Sequence, residues 1–216
     1  MSITFDALLK ELSSKRRAFH SEADFQHSLA WLLHQKFPDA KIRLEYPIYL
    51  EDKRRLNIDI WLEIHSEKIA IELKYKKKNF EGIVDGEKYD LHSASAVDLA
   101  CYDFWKDVER TEHLVKEGLA DRGLVTMLTN ETALWGVPQN QTPRYYDAFR
   151  INDGRNIPGG LMKWNLEAAA GTRKGRERDL DILNSYLIQW SDYSKVTDKG
   201  GRATPFRYLI LEMNRS

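Results

Sequence analysis

The chain has 216 residues, of which 42% are apolar and 31% charged, enough apolar material for one domain with a real core. Its 33 basic and 33 acidic residues cancel, which argues against a uniformly cationic, nucleic-acid-coating surface but leaves room for a local basic groove. A single cysteine, Cys101, excludes an internal disulfide and fits a reducing compartment.

Phe5, Leu8, Leu9 and Leu12 recur at helical spacing and predict a helix over 4–16. A second helix starts near Ser21, a suitable N-cap, carries Phe25, Leu29, Leu32, Leu33 and Phe37 as its apolar stripe, and ends at Pro38. The period then changes to two: Ile42, Leu44, Tyr46, Ile48 and Leu50 predict a strand, which Pro47 assigns to an edge or a bend. After a turn at "EDKR", strands are predicted over 56–64 and 68–75, joined through "HSEK". Residues 76–94 are polar and Gly-containing and read as a loop. A long helix follows over 95–117, with Gly118 placed as its C-cap. "GLVTMLTN" is a strand, 136–160 is irregular, and 180–190 is ambiguous between strand and helix. "FRYLILEM" at 206–213 is a final strand. A long helix between two strands has the length of a parallel crossover, so the sheet is expected to be mixed. The N-terminus lacks the layout of a signal peptide, and no apolar run approaches the ~20 residues of a membrane span. A cytoplasmic protein with no membrane partner is therefore expected.

The stretch "NIDIWLEIHSEKIAIELKYK" at 57–76 places Asp59, Glu72 and Lys74 inside apolar, β-branched runs. Side chains alternate across a strand, so Asp59 shares a face with Trp61 and Glu63, and Glu72 and Lys74 with Ala70. A hairpin turning within "HSEK", with 59 opposite 74 and 61 opposite 72, brings both acids and the lysine to one face. Two readings follow. One is a salt-bridged patch on a half-exposed sheet. The other is a site: two neighbouring carboxylates repel and welcome a divalent cation, and a lysine beside them can orient a water or steady a phosphate charge.

These residues resemble the PD-(D/E)xK, restriction-endonuclease-like phosphodiesterases. The matching pattern is Asp59, twelve intervening residues, then Glu72-Leu73-Lys74. Residues 21–129 also follow that family's α-β-β-β-α-β order, and Glu22, in "SEADFQHSLAWLL" with Gln26 one turn on, matches a further acid on the helix before the sheet. Ile58 stands where the family name expects proline. Of the chain's three [DE]xK matches, Asp39-Ala40-Lys41 and Glu51-Asp52-Lys53 have polar or loop surroundings and no paired acid. The resemblance implies an α/β fold: a restriction-endonuclease-like core over about 21–130, a mixed sheet flanked by helices, and a C-terminal elaboration over about 131–216 of the same domain. It implies Mg²⁺ or Mn²⁺ held by Asp59, Glu72 and the Leu73 main-chain carbonyl, with Glu22 binding metal-bound water or a second ion and Lys74 positioning the attacking water. The implied activity is metal-dependent hydrolysis of nucleic acid, DNA preferred, in restriction, repair or defence against mobile elements, and a homodimer is a common arrangement for cutting two strands. The competing reading is a non-catalytic nucleic-acid-binding or scaffolding module on the same fold.

Basic residues near this site are candidates for phosphate contact. "KYKKK" supplies Lys76 and Lys77, and the basic segment 150–178 supplies Arg173 and Lys174. On the long helix Asp103, Lys106, Asp107 and Arg110 form a polar stripe. Such stripes most often face water, but in the family these residues resemble, the helix after the site strand often donates a polar residue to the pocket, which implies Lys106 or Arg110 as substrate contacts. His20, His27 and His34 recur every seven residues, about 10 Å apart along a helix and too far to share a zinc ion.

Overall fold

The computed structural model describes residues 4–50, 55–93, 96–138, 143–165 and 168–215. In chain order the elements are α1 (Phe5–Lys15), α2 (Glu22–Lys36), β1 (Lys41–Tyr49), β2 (Arg55–Ile64), β3 (Glu67–Lys76), β4 (Phe80–Val84), β5 (Glu87–Leu91), α3 (Val97–Lys116) and β6 (Arg122–Thr129). There follow α4 (Thr132–Trp135), β7 (Asn156–Ile157), β8 (Gly160–Met162), α5 (Ala170–Arg173), β9 (Leu180–Ile182), β10 (Tyr186–Leu187), β11 (Trp190–Thr197) and β12 (Ala203–Asn214). The fold is α/β. Its sheet has six strands in the order β1-β2-β3-β6-β12-β11, and the β3–β6 pair is parallel while the others are antiparallel. The mixed sheet expected from the long crossover helix is thus present, with α3 making that crossover. Among the described residues no helix is long and apolar enough to cross a membrane.

Helices cover both faces. On one, Phe5, Leu9, Leu12, Phe25, Leu29 and Leu33 of α1 and α2 bury against Ile60, Leu62, Ile69, Ile71 and Leu73. On the other, Phe104, Trp105, Val108 and Leu114 of α3 pack on Ala70, Val125, Met127 and Leu211. Period-two alternation in β2 and β3 thus divides one strand pair between two cores. The approach of α3 to the sheet depends on Gly123 in β6, where a Cβ would collide with Thr111 Cγ2. Close seating there sets the height of α3 over β3.

Several boundaries agree with the sequence. The Ser21 hydroxyl caps α2, accepting from Asp24 N–H at 3.1 Å. Gly118, at φ +70°, follows the last turn of α3 and adopts the left-handed conformation glycine tolerates. Pro47 lies in β1, an edge strand. The "EDKR" turn falls outside the described residues.

Three expectations need correction. Residues 76–94 are not a simple loop: they hold the β4–β5 hairpin, with Phe80, Val84, Tyr89 and Leu91 buried. Five-residue strands broken by Asp85-Gly86 are short enough for their polar residues to hide the alternation. The ambiguous stretch 180–190 resolves into β9, β10 and the start of β11. The β2–β3 hairpin turns one residue earlier than expected: Ile64 pairs with Glu67, so Ile60 faces Ile71 and Trp61 faces Ala70. His65 and Ser66 both take positive φ, 49° and 70°, the backbone of a two-residue hairpin turn, without the Asn-Gly pair that advertises one. The pairing shift is two residues, a whole period, but the ladder ends before Asp59. Ile58 and Trp61 both join the core under α3, so strict alternation breaks at Asp59, whose carboxylate turns to the β3 edge while Glu72 and Lys74 face α3.

Candidate active site

The β2–β3 ladder stops at Ile60–Ile71. Beyond it the β3 edge is served by side chains. Asp59 Oδ2 accepts from Leu73 N–H at 2.6 Å, and Glu22 Oε2 accepts from Tyr75 N–H at 2.6 Å. β2 turns away here because β1 and α2 hold it. Glu45, opposite Asp59 in the β1–β2 register, sits at φ +50°, and Gln26 Nε2 donates to both Glu45 Oε1 (2.8 Å) and Asp59 O (2.6 Å). Glu22 and Gln26, one turn apart in α2, therefore both point into the split between β2 and β3. Buried backbone groups need partners, and two acids provide them.

Glu72 and Lys74 leave β3 on the opposite side of the strand, toward α3, where Asp107 and Arg110 receive them. Lys74 Nζ lies 2.6 Å from Asp107 Oδ2 and donates to Leu73 O at 3.2 Å. Arg110 Nη2 lies 2.6 Å from Glu72 Oε1 and 3.1 Å from Asp107 Oδ1. Glu72 is 0% exposed and Asp107 5%. The spacing matches on both elements: two residues of strand and one turn of helix each advance about 5–7 Å, so 72 and 74 meet 110 and 107 in antiparallel sequence.

The electrostatics follow from four carboxylates facing two cations. Burial raises the Asp59 carboxyl, opposed by the Leu73 N–H and Lys74. Burial likewise raises Glu22, opposed by Lys74 and the Tyr75 N–H. Glu72 is pushed well above the usual carboxylate range by burial and by Asp107, against which Arg110 acts. Burial alone would lower Lys74, but Asp107 and Glu22 outweigh it and hold the ammonium charged. Among the described residues Glu72 Oε1 meets the Arg110 guanidinium and Oε2 accepts no hydrogen bond, an uncommon state for a buried acid.

Glu22, Asp59, Glu72 and Lys74 are thus brought to one place, and each feels the charge of others in the set. Arg110 joins them. Asp107 is the member that sequence reading missed: its stripe was expected to face water, whereas Asp107 and Arg110 turn to β3. Its signal is an acid and an arginine at i,i+3 beside the apolar residues Phe104 and Val108. Lys106, one position away, is exposed. Lys76 is half-buried and close enough to lower Glu22, while Lys77 donates to His20 O at 3.0 Å. Arg173 and Lys174 flank Arg176, whose guanidinium grips Asp103 at 2.7 and 2.8 Å, one helical turn from Asp107. Much of the positive charge of 150–178 is spent internally: Arg150 pairs with Asp147, Lys163 with Asp179 and Arg178 with Glu109.

Among the described residues no three His, Cys, Asp or Glu side chains form a metal-binding group. The physical reason is visible: Asp59 and Glu22 turn to backbone N–H groups, and Arg110 stands between Glu72 and Asp107. The donor chemistry nevertheless fits a hard divalent cation. It is all oxygen, Glu72 Oε2 is buried without a hydrogen bond, and the formal charge of the six residues is two short of neutral. Comparison with family models, curated proteins and solved structures finds no match for this chain.

Proposed function

We propose that the protein is a metal-dependent phosphodiesterase that hydrolyses nucleic acid, DNA preferred, on a restriction-endonuclease-like core. The observation that carries this reading is Glu72: a fully buried carboxylate with Arg110 on Oε1 and, among the described residues, no donor on Oε2, beside two further acids and a lysine. Such an arrangement costs stability and is the kind of perturbed cluster that active sites hold. Asp59, Glu72 and the Leu73 carbonyl would hold Mg²⁺ or Mn²⁺, with Glu22 contributing through water or to a second ion. A bound ion of this type polarises phosphoryl oxygen and acidifies its water. Lys74, which already donates to Leu73 O, orients the attacking water and steadies charge on the phosphate. Lys76 extends the same strand toward the phosphate backbone, with Lys77, Arg173 and Lys174 as outer contacts. A homodimer would bring two such sites to two strands.

A second reading is a binding module that keeps the fold without the chemistry. It is favoured by the protein partners each acid already has. Calorimetric titration of Mn²⁺ into wild type and Asp59→Ala separates the two without a known substrate. Binding in wild type that is lost in the variant is expected. Cleavage of duplex or single-stranded DNA should then fall about 10³-fold or more in Lys74→Ala. Wild type that neither binds Mn²⁺ nor cuts would favour the module.

A further inference from the structure

Each Asp107 oxygen has a cation beside it, Lys74 at Oδ2 and Arg110 at Oδ1. Among the described residues, Glu72 has one at Oε1 alone. The cation that touches it is Arg110, on Oε1 only, and Oε2 accepts no hydrogen bond. Arg110 comes from the helix on a long side chain that is 22% exposed. Its second contact, Asp107 Oδ1, lies on its own helix, so Arg110 can keep that partner when another cation takes Glu72. Lys74 is tied at both Asp107 and Leu73 O. Each cation holds two oxygens, but Lys74 is bound to a main-chain carbonyl and one carboxylate, whereas Arg110 bridges two carboxylates, Glu72 and Asp107.

Resting on the metal-binding reading above, we propose that Arg110 is a built-in counter-cation that competes with a divalent ion for Glu72 and so sets the affinity of the site for that ion. Asp107 is its anchor rather than a metal ligand. Two cations cannot share one buried carboxylate at hydrogen-bond distance without strong repulsion. Taking the guanidinium charge away should strengthen the hold of Glu72 on another cation by a factor of about ten or more.

The test is calorimetric titration of Mn²⁺ into full-length wild type, Arg110→Gln and Arg110→Lys, with melting temperatures recorded with and without the ion. Arg110→Gln is expected to bind about tenfold tighter or more, to melt lower than wild type without the ion, and to gain more from it. Arg110→Lys, which keeps the charge, should stay near wild type. Binding by Arg110→Gln alone supports the competition in its strongest form. Equal or weaker binding by Arg110→Gln, with wild-type binding intact, overturns the role of Arg110 and leaves the metal site standing. Binding by none of the three overturns both. A readout on wild type covers a poorly folding variant: the Arg110 Nε–Hε resonance, assigned by its loss in Arg110→Lys, should shift on saturation with Mg²⁺. A resonance that stays in place while Mg²⁺ binds elsewhere in the spectrum overturns the inference.

Discussion

Glu112 on α3 and Glu72 on β3 are 2% and 0% exposed, and both lie against the same helix. Glu112 receives the N–H groups of Leu183 (2.8 Å) and Asn184 (2.9 Å), the Asn184 amide (2.8 Å) and the Tyr186 hydroxyl (2.7 Å). Those donors belong to the link between β9 and β10 and to the first residue of β10, which Glu112 pins to the helix. Among the described residues Glu72 has one ion contact, Arg110 at Oε1, and nothing at Oε2, and burial and Asp107 raise its pKa well above the usual range. A buried carboxylate kept for architecture is surrounded by donors, because each donor repays part of its desolvation. Glu72 has a guanidinium on one oxygen and, among the described residues, nothing on the other, so more of its desolvation stands uncompensated.

The largest effect should come from breaking the satisfied acid. Glu112→Ala leaves four donors without an acceptor and frees the 183–186 segment, so urea unfolding should show a loss of about 3–5 kcal/mol. A loss under about 1 kcal/mol would mean that water replaces the carboxylate easily and that the contrast with Glu72 is superficial.

The isosteric change at the unsatisfied acid should go the other way. Glu72→Gln keeps the shape, removes surplus negative charge and still offers Arg110 an oxygen. Stability is expected to rise or to stay within about 1 kcal/mol of wild type, while Mn²⁺ binding is lost. A destabilisation as large as that of Glu112→Ala would make Glu72 a structural residue and count against the nuclease reading.

Sequence periodicity located the elements that build the site better than those that close around it. Residues 57–76 announced both strands, their faces and the three charges, because a charged residue in an apolar alternating run stands out against its neighbours. The turn error of one residue moved the pairing by a full period, but the end of the ladder before Asp59 was not legible, and there Asp59 turns to the β3 edge rather than joining Glu72 and Lys74 on their face. Asp107 was not legible. A charged stripe on a helix reads as solvated until the strand that covers it is known, and that strand is more than thirty residues away in the chain, as 74 and 107 show. The C-terminal third was the hardest to read. Its strands are two or three residues long at β7, β8, β9 and β10, too short to display a period. Its arginines are neutralised by α3 acids such as Asp103 and Glu109, pairings across about 70 residues of sequence that no local pattern encodes.

The smallest expected effect concerns Glu109, which sharpens the comparison because it lies between the two extremes. It accepts from Arg178 Nη1 at 2.7 Å, from Arg178 Nη2, and from Asp181 N–H at 2.8 Å. Burial pushes its carboxyl up, but Arg178 and the Asp181 N–H outweigh burial, and the pKa ends below the ordinary value. The folded-state pKa is thus depressed relative to the unfolded chain. Its stabilising contribution is complete above the unfolded value, about 4.3, and is lost as pH falls through the folded one. The stability difference between wild type and Glu109→Gln should therefore be constant from pH 7 down to about pH 5 and shrink below about pH 4. It should also be modest, because the Arg178 side chain is 58% exposed and water screens the pair. A difference that persists unchanged to pH 3 would assign the role of Glu109 to hydrogen-bond geometry rather than charge. Charge complementation by the C-terminal segment would then not be what distinguishes the satisfied acids of α3 from Glu72.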